Sequence, residues 1–430
     1  MLDLCLSNCK IVPENITRYI GVDGGKIVSI KNIPIPAEKI IDVSGNIILP
    51  GLIDAHVHMR DPGFTYKEDF RTGTEAAAAG GFTTVLDMPN TKPPTNTVRT
   101  FKEKIKIAKN KCVVDFGLHA GADDPREIKK LAKLKPASFK IFMDLFDDDY
   151  LIDLFLEISK IHEMNGSKPI VSLHAEDKEI VDRRTKKSQE NLNPIIYAYA
   201  RPPFAEEVAV SKAILMANKY DLNIHICHAS TGKSLNIIKS AKKKGINITS
   251  EITPHHLFLD SSYLDRFGCF AKTNPPLRNM SDKVNLIDLY KADIIGTDHA
   301  PHTIEEKKEN IWNAPPGIPG LETALPLIMT MVNRGKLYLE DVKRLLCENP
   351  AKIFNIKNKG FIRDGMDADF VVVDMKKEGI INPENFHSKA QYSPFEGEKV
   401  RGLPVMTILR GEVVMDEGEV LKTQGKNVYS

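Results

Sequence analysis

The sequence has no uninterrupted apolar run of the roughly 20 residues that a membrane-spanning helix requires. It also has almost no excess charge, because 59 basic and 57 acidic side chains leave a formal net charge of +2. Nucleic acids and anionic membranes select strongly basic surfaces, so we expect neither as a partner. The first residues, MLDLCLSNCKIVPENITRY, lack the basic start, apolar core and small-residue cleavage site of a signal peptide.

Cysteine is also scarce, with six residues spread over 430 positions. Disulfide frameworks are typical of short, secreted, cysteine-dense chains, so scattered thiols in a long chain indicate a reducing, cytoplasmic location. Cys5 and Cys9 could form half of a metal site, but no second pair follows them. The length suffices for one large barrel-type domain and a smaller one.

Eight short segments rich in β-branched and apolar residues are each followed by a longer helical or polar stretch. They are NIILPGLIDAHVH, FTTVLDMPN, CVVDFGLHAG, ASFKIFMD, PIVSLHAE, NIHICHAS, NITSEITP and DIIGTDHAPH. Intervening stretches carry helix signals, such as the acidic start, alanine run and double-glycine stop of EDFRTGTEAAAAGG. Strand–helix alternation predicts a parallel sheet, and eight rounds in about 250 residues predict an α/β protein with a (β/α)8 TIM barrel. An open doubly wound sheet is the alternative, but the glycine-rich phosphate turn that it requires is missing.

Both ends of the chain depart from this alternation. Glycine-punctuated short strands occur in YIGVDGGKIVSI near the N-terminus and in DADFVVVD and GLPVMTILRGEVVMDEGEVL near the C-terminus. We therefore expect residues 1–50 and 356–430 to form one small β-sandwich domain from both termini. Residues 51–355 would form the barrel beside it.

Metal-competent side chains stand at or near the carboxyl ends of five predicted barrel strands, the face that carries barrel active sites. They are His56, His58, Lys140, His174, His228 and Asp298. A lone histidine at a strand end is more often a satisfied polar residue than a ligand. Two histidines two positions apart on one strand, however, point the same way. The set predicts a metal centre, and imidazole and carboxylate ligands favour zinc.

Lys140 lies where strand alternation turns Ser138, Lys140 and Phe142 toward the barrel interior. A buried, unpaired ammonium group is costly, so this amine should be paired or neutral. One interpretation is a salt bridge to Asp144 or Glu176. The other is that the neutral amine has captured carbon dioxide, because the resulting carbamate could bridge two cations about 3.5–4 Å apart.

The remaining histidines fit structural roles better. His225 is out of phase with His228, so we expect it to face the helices rather than the barrel axis. His255 and His256 end the seventh strand and could support the site from behind. His299 should point away from the aspartate that precedes it.

Motifs distributed over essentially the whole chain resemble the amidohydrolase superfamily and, within it, the dihydroorotases. They are DAHVHMRDPG, DMPNTKPPT, SFKIFM, HAED, ICHAS, TPHHLFL, KTNPPLR, GTDHAPH and PGIPGLET. The resemblance implies a cyclic amide hydrolase that reversibly converts N-carbamoyl-L-aspartate to (S)-dihydroorotate and water. This reaction is the third step of pyrimidine biosynthesis.

The resemblance also implies roles for single residues, by position. Two divalent metal ions would be bound by His56, His58, His174, His228 and Asp298, bridged by an N6-carboxylated Lys140. Asp298 would also be the general acid and base, while Asp144 is the alternative bridge. The substrate would contact His58, Arg60, Asn90, Asn274, His302, Pro316 and Gly317. An arginine suits a planar carboxylate because its guanidinium group forms two parallel hydrogen bonds with it.

Two other functions are open. Another cyclic amidase, such as a hydantoinase, dihydropyrimidinase or allantoinase, would share the metal ligands, whereas Arg60, Asn90 and His302 favour a substrate with a free carboxylate. A non-catalytic relative would act as a scaffold, and such proteins usually lose metal ligands. Partners compatible with the resemblance are a second copy of the chain, forming a homodimer, and aspartate transcarbamoylase.

Overall fold

The computed structural model describes residues 1–12, 16–165, 168–421 and 423–430, with only the backbone described at 162–165. Its strands are β1 (Leu2–Ile11), β2 (Thr17–Asp23), β3 (Lys26–Lys31), β4 (Ala37–Asp42), β5 (Ile47–Pro50), β6 (Leu52–Val57), β7 (Phe82–Asp87), β8 (Asp115–Leu118), β9 (Ala120–Gly121), β10 (Phe139–Phe142), β11 (Ile170–His174), β12 (Asn223–Ile226), β13 (Ile248–Ile252), β14 (Ile294–Ile295), β15 (Phe370–Ile380), β16 (Lys399–Leu409), β17 (Glu412–Asp416) and β18 (Glu419–Val420).

The helices connect these strands and cover the outside of the barrel. They are α1 (Phe70–Ala79), α2 (Val98–Lys111), α3 (Pro125–Ala132), α4 (Asp148–Asn165), α5 (Lys178–Ser188), α6 (Ile196–Ala200), α7 (Pro203–Tyr220), α8 (Gly232–Lys243), α9 (Pro254–Phe258), α10 (Ser262–Phe267), α11 (Ile304–Lys307), α12 (Leu321–Asn333), α13 (Leu339–Lys343) and α14 (Asn349–Ile353). Short 3₁₀ turns cover Met143–Leu145, Gly268–Ala271, Leu286–Tyr290 and Pro383–Asn385, and a π-helical turn covers Arg344–Glu348. None of the described helices is both long enough and apolar enough to span a membrane.

Parallel strands form the barrel wall in two runs, one of β6 to β8 and one of β9 to β14. The runs join where β8 leads directly into β9, which pairs with β10. They meet again where Val57 pairs with His299, and the amide of His58 donates to the carbonyl of His299 at 2.8 Å. The predicted closed barrel is therefore confirmed, and the open sheet is excluded.

The helix signals read from the sequence locate α1 correctly. The Asp69 side chain accepts from the amides of Arg71 and Thr72 and so caps the first turn. Gly80 ends the helix, as the double glycine predicts. A Cβ at Gly80 would lie 2.1 Å from the carbonyl oxygen of Leu321, so glycine is also needed where α1 meets α12.

The two ends of the chain share one nine-stranded sheet, with the order β18-β17-β16-β15-β5-β1-β2-β3 and β4 against β1. β5 links the two ends, because it pairs in parallel with β1 and antiparallel with β15. Apolar side chains from both ends fill a common core, including Leu4, Leu6, Ile20, Val22, Ile48, Phe370, Val372 and Ile408. The β-sandwich module built from both termini is thus confirmed.

Two details differ from the sequence-based picture. The segment predicted as the first barrel strand is two strands, since β5 belongs to the sandwich and β6 to the barrel. The last residues return to the barrel, where Asn427 pairs with Phe116 and the Tyr429 hydroxyl donates to the carbonyl of Phe354 at 2.7 Å. The residue limits of the two domains stay a prediction.

Candidate metal and substrate site

A cavity of about 300 Å³ opens where the barrel strands end. Its lining consists of His56, His58, Arg60, Asn90, Phe142, Asp144, Leu145, His174, His228, Asn274, Asp298, Ala300, His302, Pro316 and Gly317. Every site residue predicted from the sequence is in this lining except Lys140. The structure therefore brings side chains from distant parts of the chain to one mouth, as barrel closure requires.

His56, His58 and Asp298 converge at one point of the cavity. Oδ1 of Asp298 lies 3.3 Å from Nε2 of His56 and 3.0 Å from Nε2 of His58. The opposite ring nitrogens are occupied, since Nδ1 of His56 lies 2.9 Å from Oε1 of Glu251 and Nδ1 of His58 lies 2.6 Å from Oδ1 of Asn90. Such contacts fix each ring so that Nε2 faces the shared point, which fits one divalent cation.

His174 and His228 form the second half of the candidate centre. Nδ1 of His174 lies 3.0 Å from Nε2 of His228, and Nε2 of His174 lies 2.9 Å from Oε2 of Glu176. Burial, reinforced by the neighbouring His174, lowers the pKa of His228 well below its ordinary value. Its Nδ1 has no hydrogen-bond partner among the described residues. Two buried imidazoles with facing nitrogens fit a second cation.

The two rings nearest Asp298 differ in protonation. Burial by itself would lower the pKa of His56, but Glu251 and Asp298 raise it well above its ordinary value, so a cation bound there would displace a proton. Burial lowers the pKa of His58 to about 4, which leaves the ring neutral at physiological pH. Burial by itself would raise the pKa of Asp298, but His56 and His58 hold it well below its usual range. Asp298 is therefore a carboxylate at neutral pH and can accept a proton.

Lys140 is fully buried beneath the cavity and points inward, as strand alternation predicts. Its Nζ lies 3.0 Å from Sγ of Cys227 and forms no ion pair with a described carboxylate. The salt bridge considered from the sequence does not form, because Arg201 binds both Asp144 and Glu176 at 2.6 Å. The described contacts of the amine are thus Sγ of Cys227 and the Phe142 ring, whose centre lies 5.0 Å away, and not an acid.

The expectation that His225 faces the helices is wrong. His225 pairs in register with Ser172, which pairs with Lys140, so all three project into the barrel. Alternation of side chains counted back from His228 assigns His225 to the wrong face, because His228 has left the extended strand conformation, with φ at 36°. Asp298, beyond the end of β14, also has a positive φ, of 48°.

Three buried acids hold the histidines of the centre in place. The sequence did not identify them in this role. Asp54 accepts from the amide of His56 at 3.0 Å, and burial raises its pKa to about 7. Glu251 contacts His56 and accepts from the amide of His228 at 3.0 Å. Glu176 contacts His174. A single acid inside a strand segment rich in β-branched residues, as in NITSEITP, was the available signal for Glu251.

One wall of the cavity is suited to an anion. The Arg60 side chain is 8% exposed and forms no ion pair with a described carboxylate. Its Nε donates to the carbonyl of Pro301 at 3.1 Å, and one terminal nitrogen lies 3.0 Å from Nε2 of His302. Oδ1 of Asn274 accepts from the Tyr197 hydroxyl at 2.7 Å, so the amide nitrogen of Asn274 is left for a ligand. A buried guanidinium group whose N–H donors are not all used is stabilised by an anion, so this wall favours a negatively charged ligand.

His256 and His299 lie behind this lining. His256 lies 2.9 Å from the carbonyl oxygen of Pro275, next to Asn274, and so supports the cavity from outside. Nε2 of His299 lies 3.5 Å from Oε2 of Glu68, away from the cavity, as expected.

Fold and site together define a TIM-barrel enzyme class with a candidate metal centre at the strand ends and an anion-binding wall beside it. The model for the Amidohydrolase family matches residues 47–414, and the chain belongs to this family. The family expected from the sequence motifs is therefore confirmed.

Several known proteins are similar to this chain over nearly their whole length. Dihydroorotase from Methanothermobacter thermautotrophicus is 49% identical over 100% of this chain and 97% of its own. Dihydroorotase from Methanosphaera stadtmanae is 48% identical over 100% of both chains. Among solved structures, L-hydantoinase (dihydropyrimidinase) from Arthrobacter aurescens superposes with a TM-score of 0.92 at 32% identity, covering 99% of each chain. Dihydropyrimidinase from Brevibacillus agri superposes with a TM-score of 0.91 at 27% identity, covering 100% of this chain and 98% of its own.

Proposed function

We propose that this chain is a dihydroorotase, which interconverts N-carbamoyl-L-aspartate and (S)-dihydroorotate in pyrimidine biosynthesis. The observation that carries the proposal is the buried, acid-free guanidinium group of Arg60 beside a candidate metal centre. Dihydroorotate is a cyclic amide with a free carboxylate, so it offers both a bond for the metal centre and a partner for Arg60. The near full-length similarity to dihydroorotases supports the same assignment.

The centre would hold two divalent cations, and its imidazole and carboxylate donors favour zinc. The ligands would be His56, His58, His174, His228, Asp298 and an N6-carboxylated Lys140. Carboxylation would replace a buried amine that lacks an acidic partner with an anion suited to bridging two cations. Asp144 is the poorer bridge because Arg201 already binds it. When bound, the cations would polarise the ring amide carbonyl and activate a water molecule for attack.

The protein side chains would orient the substrate and move the proton. Arg60, Asn274 and His302 bind the carboxylate and so fix the ring with its amide toward the centre. In the hydrolytic direction, Asp298 accepts the proton of the attacking water through a carboxylate oxygen and then donates it to the departing ring nitrogen. In the biosynthetic direction, Asp298 takes the proton of the ureido nitrogen as the ring closes and gives it to the carboxyl oxygen that leaves as water. Asn90 holds His58 through Nδ1, and Pro316 and Gly317 close the pocket through their backbone.

A comparative assay tests this function. Turnover of dihydroorotate, hydantoin and allantoin is measured on one purified sample whose metal content is determined by mass spectrometry. We expect about two metal ions per chain and efficient turnover of dihydroorotate alone. Turnover of hydantoin or allantoin without dihydroorotate would establish a different cyclic amidase. A metal-loaded sample that is inactive on all three would favour the scaffold function.

The quaternary partners and the location stay predictions. A homodimer is tested by sedimentation velocity of the full chain. An association with aspartate transcarbamoylase is tested by mixing the two purified proteins in the same experiment. The cytoplasmic location still rests on the scattered cysteines in the sequence.

A further inference from the structure

Lys307 is a buried lysine at the end of α11, with 1% of its surface exposed. Its Nζ donates to three backbone carbonyls, those of Gly317 at 2.9 Å, Pro315 at 3.1 Å and Lys272 at 3.3 Å. These carbonyls surround the amino group with acceptors for its N–H bonds. Lys307 forms no ion pair with any carboxylate that the structure describes. Its described hydrogen bonds all go to backbone carbonyls.

The segment that Lys307 holds, residues 315–317, is one wall of the cavity, here named the proline wall. Pro316 and Gly317 face the cavity. From behind, the carbonyl of Gly317 also accepts from the Tyr392 hydroxyl at 3.1 Å. Gly317 has a φ of 137°, and a Cβ there would lie 2.4 Å from the carbonyl oxygen of Ala300. The proline wall is therefore tightly packed and depends on contacts outside the cavity for its position.

The proline wall is connected to the anion-binding group. Nζ of Lys67 lies 3.1 Å from Nδ1 of His302, so Nδ1 accepts, and Nε2 carries the hydrogen and donates to the carbonyl of Pro316 at 3.0 Å. A terminal nitrogen of Arg60 lies 3.0 Å from the same Nε2, which is a packing contact between two donors. A shift of the proline wall would therefore turn the His302 ring and change the surface against which the Arg60 guanidinium group packs. The hydrogen bonds of Lys307 reach none of the candidate metal ligands.

We propose that Lys307 is a positioning residue for the substrate carboxylate, because it holds the proline wall that sets His302 against Arg60. This inference rests on the proposed function. It assigns Lys307 to substrate affinity and not to the chemical step, since the groups that move the proton lie elsewhere in the cavity. Loss of Lys307 should therefore raise KM and leave kcat nearly unchanged.

The substitution Lys307→Met keeps the length of the side chain and removes its N–H donors. We expect KM for dihydroorotate to rise about 10- to 100-fold, with kcat within about threefold of wild type and with unchanged metal content. Lys308→Met is the matched control, because Lys308 is the exposed neighbour and its loss should change neither constant. In a double variant with His302→Asn, the KM increase should be smaller than the product of the single increases, because both residues act through one contact chain.

Tyr392→Phe provides a second test, which remains available if Lys307→Met does not fold. It removes only the hydroxyl bound to the carbonyl of Gly317, and KM should rise about threefold or more at constant kcat. An unchanged KM in Tyr392→Phe and in folded Lys307→Met, with an active wild type, would overturn this inference alone. A fall in kcat with metal loss and unchanged KM would also overturn it. A wild type without dihydroorotate turnover would overturn the proposed function and this inference together.

Discussion

Replacing Arg60 with lysine is the sharpest perturbation of the anion-binding wall, because it keeps the charge and removes the planar group. One N–H of Arg60 is used on Pro301 and one terminal nitrogen contacts His302, which leaves other N–H bonds for a substrate carboxylate. A lysine could bind that carboxylate through one ammonium group but could not form the paired bonds. The variant should therefore lose about one hydrogen bond to a charged group, or about 1.5–3 kcal/mol.

That loss corresponds to a rise in KM of about 10- to 150-fold, since about 1.36 kcal/mol is a tenfold change. We expect kcat to change little, because the carboxylate is bound in both the ground state and the transition state. The assay is steady-state hydrolysis of dihydroorotate, followed by loss of the ring amide absorbance. Arg126→Lys, at an exposed site on α3, is the control and should behave as wild type. A KM within twofold of wild type in Arg60→Lys would refute the carboxylate clamp.

Three further variants test other parts of the site and fold. Lys140→Ala should abolish turnover, and added short carboxylic acids should restore part of it, because they can replace the bridging anion. Asp298→Asn should reduce kcat by at least about 100-fold while the fold remains intact by circular dichroism, because the proton acceptor is lost. His387→Gln tests the contact of the C-terminal segment with α12. A hydrogen bond to Glu322 raises the pKa of His387. This pair therefore stabilises the fold below about pH 6.5, the unfolded pKa of histidine. The stabilisation is lost as the pH rises past the pKa of His387 in the folded protein. His387→Gln should lower the free energy of unfolding in urea by up to about 1 kcal/mol near pH 5.5 and by less near pH 8.5.

Each of these expectations has a contrary outcome. Full activity of Lys140→Ala without added acid would assign the bridge to another group. Near-normal turnover by Asp298→Asn would remove Asp298 as the proton carrier. A stability loss in His387→Gln that grows from pH 5.5 to pH 8.5 would have the wrong sign for a histidine with a raised pKa.

Much of the architecture and the metal-competent part of the cavity lining could be predicted because they depend on local patterns. Strand–helix alternation specifies a parallel barrel, and barrel geometry brings the strand ends to one mouth. His56, His174 and Asp298 were identifiable because polar side chains at strand ends stand out against apolar strands. Arg60, Asn274 and the other substrate positions came from the resemblance to a family and not from spacing, and their roles stay predictions.

The sequence by itself determined the order of strands and helices, the composite module from both termini and the inward direction of Lys140, because these follow from local spacing. The tertiary structure alone decided which side chains contact one another across the barrel. Glu251 holds His56 across 195 residues, and Lys140 lies beside Cys227 across 87 residues. The positive φ of His228 also reversed the side assigned to His225. Local periodicity specifies which way a side chain points from a regular strand, whereas barrel closure and irregular strand ends specify what that side chain meets.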